Sequence, residues 1–406
     1  MGCVNIPYQK MLNYRCSGTR VFNDLDNTVY TLPSVNLSNS QIKEKDLFDL
    51  YSEFSKLSDT RRAQGKRHGI QLVLMIVTLG IMNGYDGNRA LADFVERNRQ
   101  SLISNFKPNK NRLPSLWTIM RVMVMTDFNE LCHILEEWAK HHVIVAEKDW
   151  VSLDGKAIKG TFPEKMHKFV NLVSLFALNK KQVLSVGKVD YKSNEIPKVQ
   201  ELIEKFPAKN VVYRMDAMHC QQKTIKYILK NDSHYVLEAK QNQKKLLKKV
   251  KFIAEYLPAI SSDVMKEKNR GRIEIRKATV HRECLDLEYY GWEGIKFIVK
   301  VERIVRYKSG KTSNEIAYFI TNLEEKASFF NKGIRDHWKI ENSLHYVKDV
   351  TFNEDRLKIR TGNAPQNMSL LRTLVINIFR NKGFSNIVQA TRLLSGNIPA
   401  MLALVI

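Results

Sequence analysis

At Asp149 the spacing of apolar residues changes from helical turns to short runs, and this switch limits the fold more than any other feature of the chain. Trp150-Val151-Ser152-Leu153 is an apolar run that ends at Asp154. Residues 169–178 and 183–189 are two more runs, joined by Asn179-Lys180-Lys181, which reads as a hairpin turn. Residues 196–206 have helical spacing, with Val199, Leu202, Ile203 and Phe206 on one face. Residues 211–215 form a further apolar run ending at Asp216, residues 220–231 return to helix, and 235–237 to strand. The order strand, strand, strand, helix, strand, helix, strand predicts an α/β fold. Its mixed sheet begins with antiparallel strands, continues with parallel ones and is covered by helices.

The flanks differ from this core. Residues 1–42 are polar and give no defined element. Residues 43–148 read as a helical module: a strongly apolar helix over 70–82, further helices opening near Asn88 and Pro114-Ser115, and a last one over 128–145. A basic break, Asp59-Thr60-Arg61-Arg62-Ala63-Gln64-Gly65-Lys66-Arg67-His68, interrupts it. The first part of the core spans 149–240. Residues 241–327 bring a lysine-rich helix and β-rich runs over 273–281, 297–306 and 315–320, and residues 328–406 are helical.

Charge narrows the function. Lys and Arg number 65 against 42 Asp and Glu, a net charge of +23, which favours a polyanionic partner such as nucleic acid. Apolar residues recur along the whole chain, which excludes a disordered basic tail. The most apolar stretch, over 70–82, falls short of the roughly 18 residues that span a bilayer. Five cysteines without a C-x-x-C pair suggest neither a disulfide framework nor a cysteine zinc site. With no signal-peptide pattern at the start, the cytoplasm is the expected location.

Asp154 and Asp216 each close a predicted buried strand, where ligands of mixed sheets collect. A third acid lies in the helical stretch His337-Trp338-Lys339-Ile340-Glu341-Asn342-Ser343-Leu344-His345. There Glu341 shares a face with His337 and His345 at four residues' distance and with Lys348 at seven. Asp349 shares that face as well, as a neighbour of the acids. Three convergent carboxylates in a basic protein suit a hard divalent cation, which takes carboxylate oxygens and keeps phosphate oxygens as further ligands. Two such ions assist phosphodiester cleavage. Zn²⁺ on the His337–Glu341–His345 face is the weaker alternative, because H-E-x-x-H is absent.

Several blocks then carry a resemblance: Asp154-Gly155-Lys156 with Lys159-Gly160-Thr161; Lys192-Ser193-Asn194-Glu195-Ile196-Pro197; Asp216-Ala217-Met218-His219-Cys220-Gln221; Tyr235-Val236-Leu237-Glu238-Ala239-Lys240; and His337 through His345 with Asp349-Val350-Thr351-Phe352-Asn353-Glu354-Asp355. In this order the chain resembles the H-repeat-associated family of bacterial insertion-sequence transposases, of the DDE type. It departs from that pattern at Gln241, Tyr346 and Lys348, and His337 stands where broader relatives carry Arg.

The resemblance implies an RNase H-like core with Asp154, Asp216 and Glu341 as catalytic and metal-ligating acids, and a strand-rich insertion between the second acid and the third. It implies phosphodiester hydrolysis and strand transfer at element ends with Mg²⁺, Mn²⁺ being a substitute; the alternative is a noncatalytic or nuclease-only DNA-binding protein derived from such an element. The partners would be double-stranded DNA, as terminal inverted repeats and as target, bound by a homodimer in the bacterial nucleoid, with the helical module over 43–148 as the DNA-binding module that holds the element ends together with the basic insertion. Lys348 matches a DNA-contacting lysine of broader relatives. Lys156, Lys159, Lys240, Lys244, Lys245, Lys248, Arg272 and His337 are the further candidates for DNA contact, since neutralising phosphates supplies most nonspecific affinity.

Overall fold

The computed structural model describes residues 49–161, 169–189, 194–269, 271–283 and 286–405. The expectations for residues 1–42, and for Lys192 and Ser193 of the second block, lie outside the described residues.

The helical module contains α1 (Leu50–Ser55), α2 (Ile70–Met82), α3 (Asn88–Arg97), α4 (Arg99–Phe106), α5 (Leu116–Met125) and α6 (Phe128–His142). Asp49 and Asp127 cap α1 and α6 by accepting bonds from backbone N–H groups of the first turn. Every residue of α2 except Gln71 is buried. A helix apolar on all sides must be surrounded, and α1, α3 and α5 pack around this one.

The core follows as β1 (Trp150–Ile158), β2 (Val170–Ala177), β3 (Gln182–Lys188), α7 (Glu195–Lys205), β4 (Val212–Met215), α8 (Gln222–Lys230) and β5 (His234–Glu238). Next come α9 (Lys244–Tyr256), β6 (Ser261–Asn269), β7 (Arg272–Arg282), β8 (Phe297–Tyr307) and β9 (Thr312–Thr321). The chain continues through α10 (Ala327–Asp336), the single turn α11 (Trp338–Ile340), α12 (Ala364–Asn381), α13 (Ile387–Leu394) and α14 (Ile398–Val405). The turn of the β2–β3 hairpin has Lys181 at φ 56°.

One nine-stranded sheet results, in the order β3-β2-β1-β4-β5-β9-β8-β7-β6. β1 pairs antiparallel with β2 and parallel with β4, and β4 pairs parallel with β5, as the strand order predicts. The strands of the 241–327 segment extend this same sheet, because β9 pairs antiparallel with β5. The segment also has a strand that no apolar run announces. β6 has few apolar residues because it is the outer edge of the sheet, where charged side chains also deter pairing with other chains.

α12 joins the two halves. It is buried from Ala364 to Phe379 and packs on α2, α5 and α6 of the module and on β2 and β3 of the sheet. Asn377 completes the edge of β3: its Oδ1 accepts from Val183 N (2.8 Å) and its Nδ2 donates to Val183 O (2.7 Å). Asn367 Nδ2 donates to the carbonyls of Met123 and Thr126, both at 2.9 Å, and so satisfies the end of α5.

Candidate active site

β1 is longer than its parallel neighbour, so Asp154 lies in mid-strand, not at a strand end as its sequence suggests. The parallel pairing nevertheless stops at Leu153–Met215. Asp154 and Asp216 are therefore the next residue on each strand, side by side where β4 leaves the sheet. Residues 152, 154 and 156 share one face of β1. Each meets the segment after α10. Ser152 Oγ lies 2.5 Å from His337 Nδ1, Asp154 Oδ2 3.5 Å from His345 Nδ1, and Lys156 Nζ 2.6 Å from Asp349 Oδ1.

That segment is not the regular helix its sequence suggests. After α11 the chain widens into two π-turns, Glu341–His345 and Val347–Thr351. Four residues overshoot one α-turn by about 40°. A wider turn removes the overshoot and keeps His337, Glu341, His345 and Asp349 over β1. It also moves Lys348 off the face. Lys348 is buried, with Nζ 2.6 Å from Ser369 Oγ and 3.7 Å from Glu354 Oε2. This corrects its expected DNA contact: the side chain points into the core toward α12. Burial holds its pKa below the ordinary lysine range, against the pull of Glu354.

Asp154, Asp216 and Glu341 line one open cleft of about 410 Å³, together with Arg214, His337 and Trp338. Ligand atoms of Asp154, Glu341 and His345 lie within 4.8 Å of one another, a donor set of two carboxylates and one imidazole that fits a divalent cation. His345 Nδ1 stands 3.0 Å from Glu341 Oε2. His337 leaves this group, with its Nε2 3.4 Å from Asp216 Oδ1. The two histidines thus serve different acids, which disfavours a zinc site built from both.

Burial pushes the Asp154 carboxyl up to about 6, opposed by His345 and reinforced by Asp216 and Glu195. The hydrogen bond from His337 holds Asp216 below the ordinary range, and that from His345 does the same for Glu341.

Glu195 is the acid that sequence reasoning passed over. It opens α7, and a Cβ on Gly155 would overlap its carboxyl group. Burial and the charge of Asp216 raise its pKa. The Asn194-Glu195 block was the available signal, but nothing in it says that α7 starts beside β1.

The cationic candidates separate. Lys156 is mostly buried and paired with Asp349 and Asp355, so it braces the site and is not a free phosphate clamp. Lys159 is exposed beside Asp355, and Lys240 is exposed, beside Glu238 on the cleft. Lys244, Lys245 and Lys248 are exposed on the outer face of α9. Arg272 is exposed at the β6–β7 hairpin, outside the cleft lining. Arg276 and Arg303 line the cleft on the insertion side and share Glu274 as a partner.

Comparison with known proteins places the chain in a family. The family model for the transposase DDE domain matches residues 146–378, and the DDE_Tnp_1-associated model matches residues 51–139. The chain is 30% identical to "Putative transposase YncI" of Escherichia coli O157:H7 over 331 residues, covering 79% of this chain and 84% of that protein. It is 28% identical to "H repeat-associated putative transposase YhhI" of Escherichia coli (strain K12) over 347 residues, covering 83% and 91%. No helix among the described residues is long and apolar enough to cross a membrane.

Proposed function

We propose that this chain, which belongs to the transposase DDE-domain family, cuts DNA at the ends of an insertion sequence and joins the freed ends to target DNA. The observation that supports this reading is the register of β1 and β4. It sets Asp154 beside Asp216 in the cleft that Glu341 also lines.

In this reading Asp154, Asp216 and Glu341 would hold a divalent cation, Mg²⁺ with Mn²⁺ as substitute, through their carboxylate oxygens, with His345 beside Asp154 and Glu341. The cation would supply Lewis acidity and neutralise charge developing on the phosphodiester. The protein's own part is positioning. His337 orients Asp216, His345 orients Glu341, and Lys156 fixes the distance between β1 and the π-turn segment through Asp349. Water forms a new P–O bond as the bond to the element's 3′-oxygen breaks, and that oxygen leaves as a hydroxyl. The 3′-hydroxyl then attacks a target phosphodiester, forming one P–O bond and breaking another. Joining two ends calls for two copies of the chain on DNA. Lys159, Lys240, Lys244, Lys245, Lys248 and Arg272 bind backbone phosphates.

The test is strand nicking on a duplex carrying the element end. Asp154→Asn, Asp216→Asn and Glu341→Gln should each cut the rate by several orders of magnitude without abolishing DNA binding, and the losses should not add. Charge reversal at Lys244, Lys245 and Lys248 should weaken binding yet leave cleavage of saturating DNA intact. Activity that survives complete chelation of divalent ions, or full activity in Glu341→Gln, would overturn the mechanism.

A further inference from the structure

The basic break in the helical module builds a second cleft. Arg61 is buried, and its guanidinium makes four hydrogen bonds: Nε and Nη2 donate to the two oxygens of Asp59 (2.8 and 2.7 Å), Nη1 to Gly65 O (3.0 Å) and Nη2 to His68 O (2.8 Å). These bonds fold residues 61–68 into a fixed loop beside α5. The loop, the start of α4 and the start of α5 enclose a cleft of about 340 Å³. Arg67, Arg99, Arg112, Arg121, His68 and Ser115 are in its lining, and no carboxylate is.

Three further observations point to an anion. Arg67, Arg112 and Arg121 are exposed and have no ion-pair partner among the described residues, whereas Arg99 is shared with Glu96 at 3.6 Å. Ser115 stands at the N-cap of the ten-residue α5 but makes no side-chain cap bond, so this positive helix end keeps donors free. His68 is buried against the cluster. Burial and the charges of Arg67, Arg61 and Arg112 hold its pKa below the ordinary range.

Arginines that line one cleft with no carboxylate among them present a surface complementary to a polyanion. Arginine forks match phosphate oxygens two at a time. We infer that this cleft grips the phosphodiester backbone of duplex DNA, as an anchor separate from the acidic cleft, with Arg67, Arg112 and Arg121 touching the phosphates and Arg61 positioning the loop. The inference rests on the reading of the chain as a DNA-processing enzyme.

The test is binding of a fluorescein-labelled duplex to the full chain across a salt series. Arg67, Arg112 and Arg121 are each changed to Gln in one variant. A control variant changes Lys205, Lys209 and Lys230 to Gln. It removes the same charge from exposed lysines that are already paired with Glu201, Asp232 and Glu204. The arginine variant should weaken binding at least about tenfold near 0.1 M salt and flatten the salt slope by roughly 0.9 for each phosphate that is no longer neutralised. The control should shift neither by more than about twofold. Equal weakening in both variants, an unchanged slope in the arginine variant, or no duplex binding by the wild-type chain would overturn the inference. Nicking at saturating duplex separates the two proposals. An arginine variant that binds weakly but nicks when saturated supports both. A wild-type chain that binds through these arginines but never nicks with Mg²⁺ sinks the transposase chemistry and leaves the anchor standing.

Discussion

Gly155 and Glu195 approach so closely that the carboxyl group of Glu195 occupies the space a side chain at 155 would need. The two residues lie 40 positions apart in the chain and meet because α7 begins beside β1, next to Asp154. Gly155 thus leaves room for a fourth carboxylate close enough for its charge to act on Asp154 and for that of Asp216 to act on it.

Gly155→Ala tests this relationship. The overlapped atoms are the end of a flexible side chain, so Glu195 should swing away and stability should fall by no more than about 1 kcal/mol. Nicking should drop at least about tenfold. Glu195→Gln should lose a similar factor, and the double variant no more than either single one, because both remove the same carboxylate from the site. Independent, additive losses would show that Gly155 matters for another reason.

Asp154 would set a pH limit on metal binding at the proposed site. Its carboxyl is held near 6, and a cation can bind only after the proton leaves. Affinity for Mn²⁺, followed by its electron-spin signal, should fall up to tenfold per pH unit below about 6 and level off above it. The same shift has a stability sign. A carboxyl raised above its unfolded value of 3.8 favours the fold at low pH, and that contribution is lost as pH rises through about 6. Metal-free Asp154→Asn should therefore be more stable than wild type at pH 7, on the order of 1–3 kcal/mol, with no gain at pH 4. A melting comparison at the two pH values decides it.

Glu354 sits between two buried cations, with Oε2 3.7 Å from Lys348 Nζ and Oε1 3.3 Å from Arg372 Nη1. Glu354→Gln strands both charges. Urea unfolding should show a loss of about 3–5 kcal/mol. Those charges hold the Glu354 carboxyl below its ordinary 4.5 despite burial. Its contribution is present above about 4.5 and fades as pH falls below that value. The gap between wild type and Glu354→Gln should narrow in acid.

Asn377→Leu keeps the branched outline of a residue inside α12 but leaves Val183 N and O without the bonds they now make. Two buried backbone groups left unmet should cost about 2–4 kcal/mol, again by urea unfolding. The stability should not return in Asn377→Asp, which can accept from Val183 N but cannot donate to Val183 O.

Much of this was legible in the chain itself. The order of β1 to β5 follows from local runs and turns. Asp154, Asp216 and Glu341 stand out because the first two close apolar runs and the third lies on a face of helical spacing, although Asp154 proves to be in mid-strand and Glu341 in a π-turn. The partnership of β5 with β9 was not legible, since pairing across some 80 residues leaves no local pattern. β6 was missed because an edge strand does not need apolar residues. The π-turns were missed because a shifted backbone hydrogen bond has no residue signature. They exchange Lys348 for Asp349 on the face above β1, and with it a supposed DNA contact for a brace on Lys156.

α12 also imposes an order of events on the making of the protein. The apolar α2 that it covers ends at Met82, and α12 begins at Ala364, which is 364 − 82 = 282 residues later. At the usual pace of a bacterial ribosome this is a delay of roughly 14–56 s, during which α2 lacks part of its cover. The helical module and the β2–β3 side of the sheet, both of which α12 packs on, meet their shared cover only after α12 has emerged. A messenger cut short, or a ribosome stalled before residue 364, would then yield a product that is sticky and unable to act. Synthesis through α12 becomes the condition for assembling the whole sheet-and-module core.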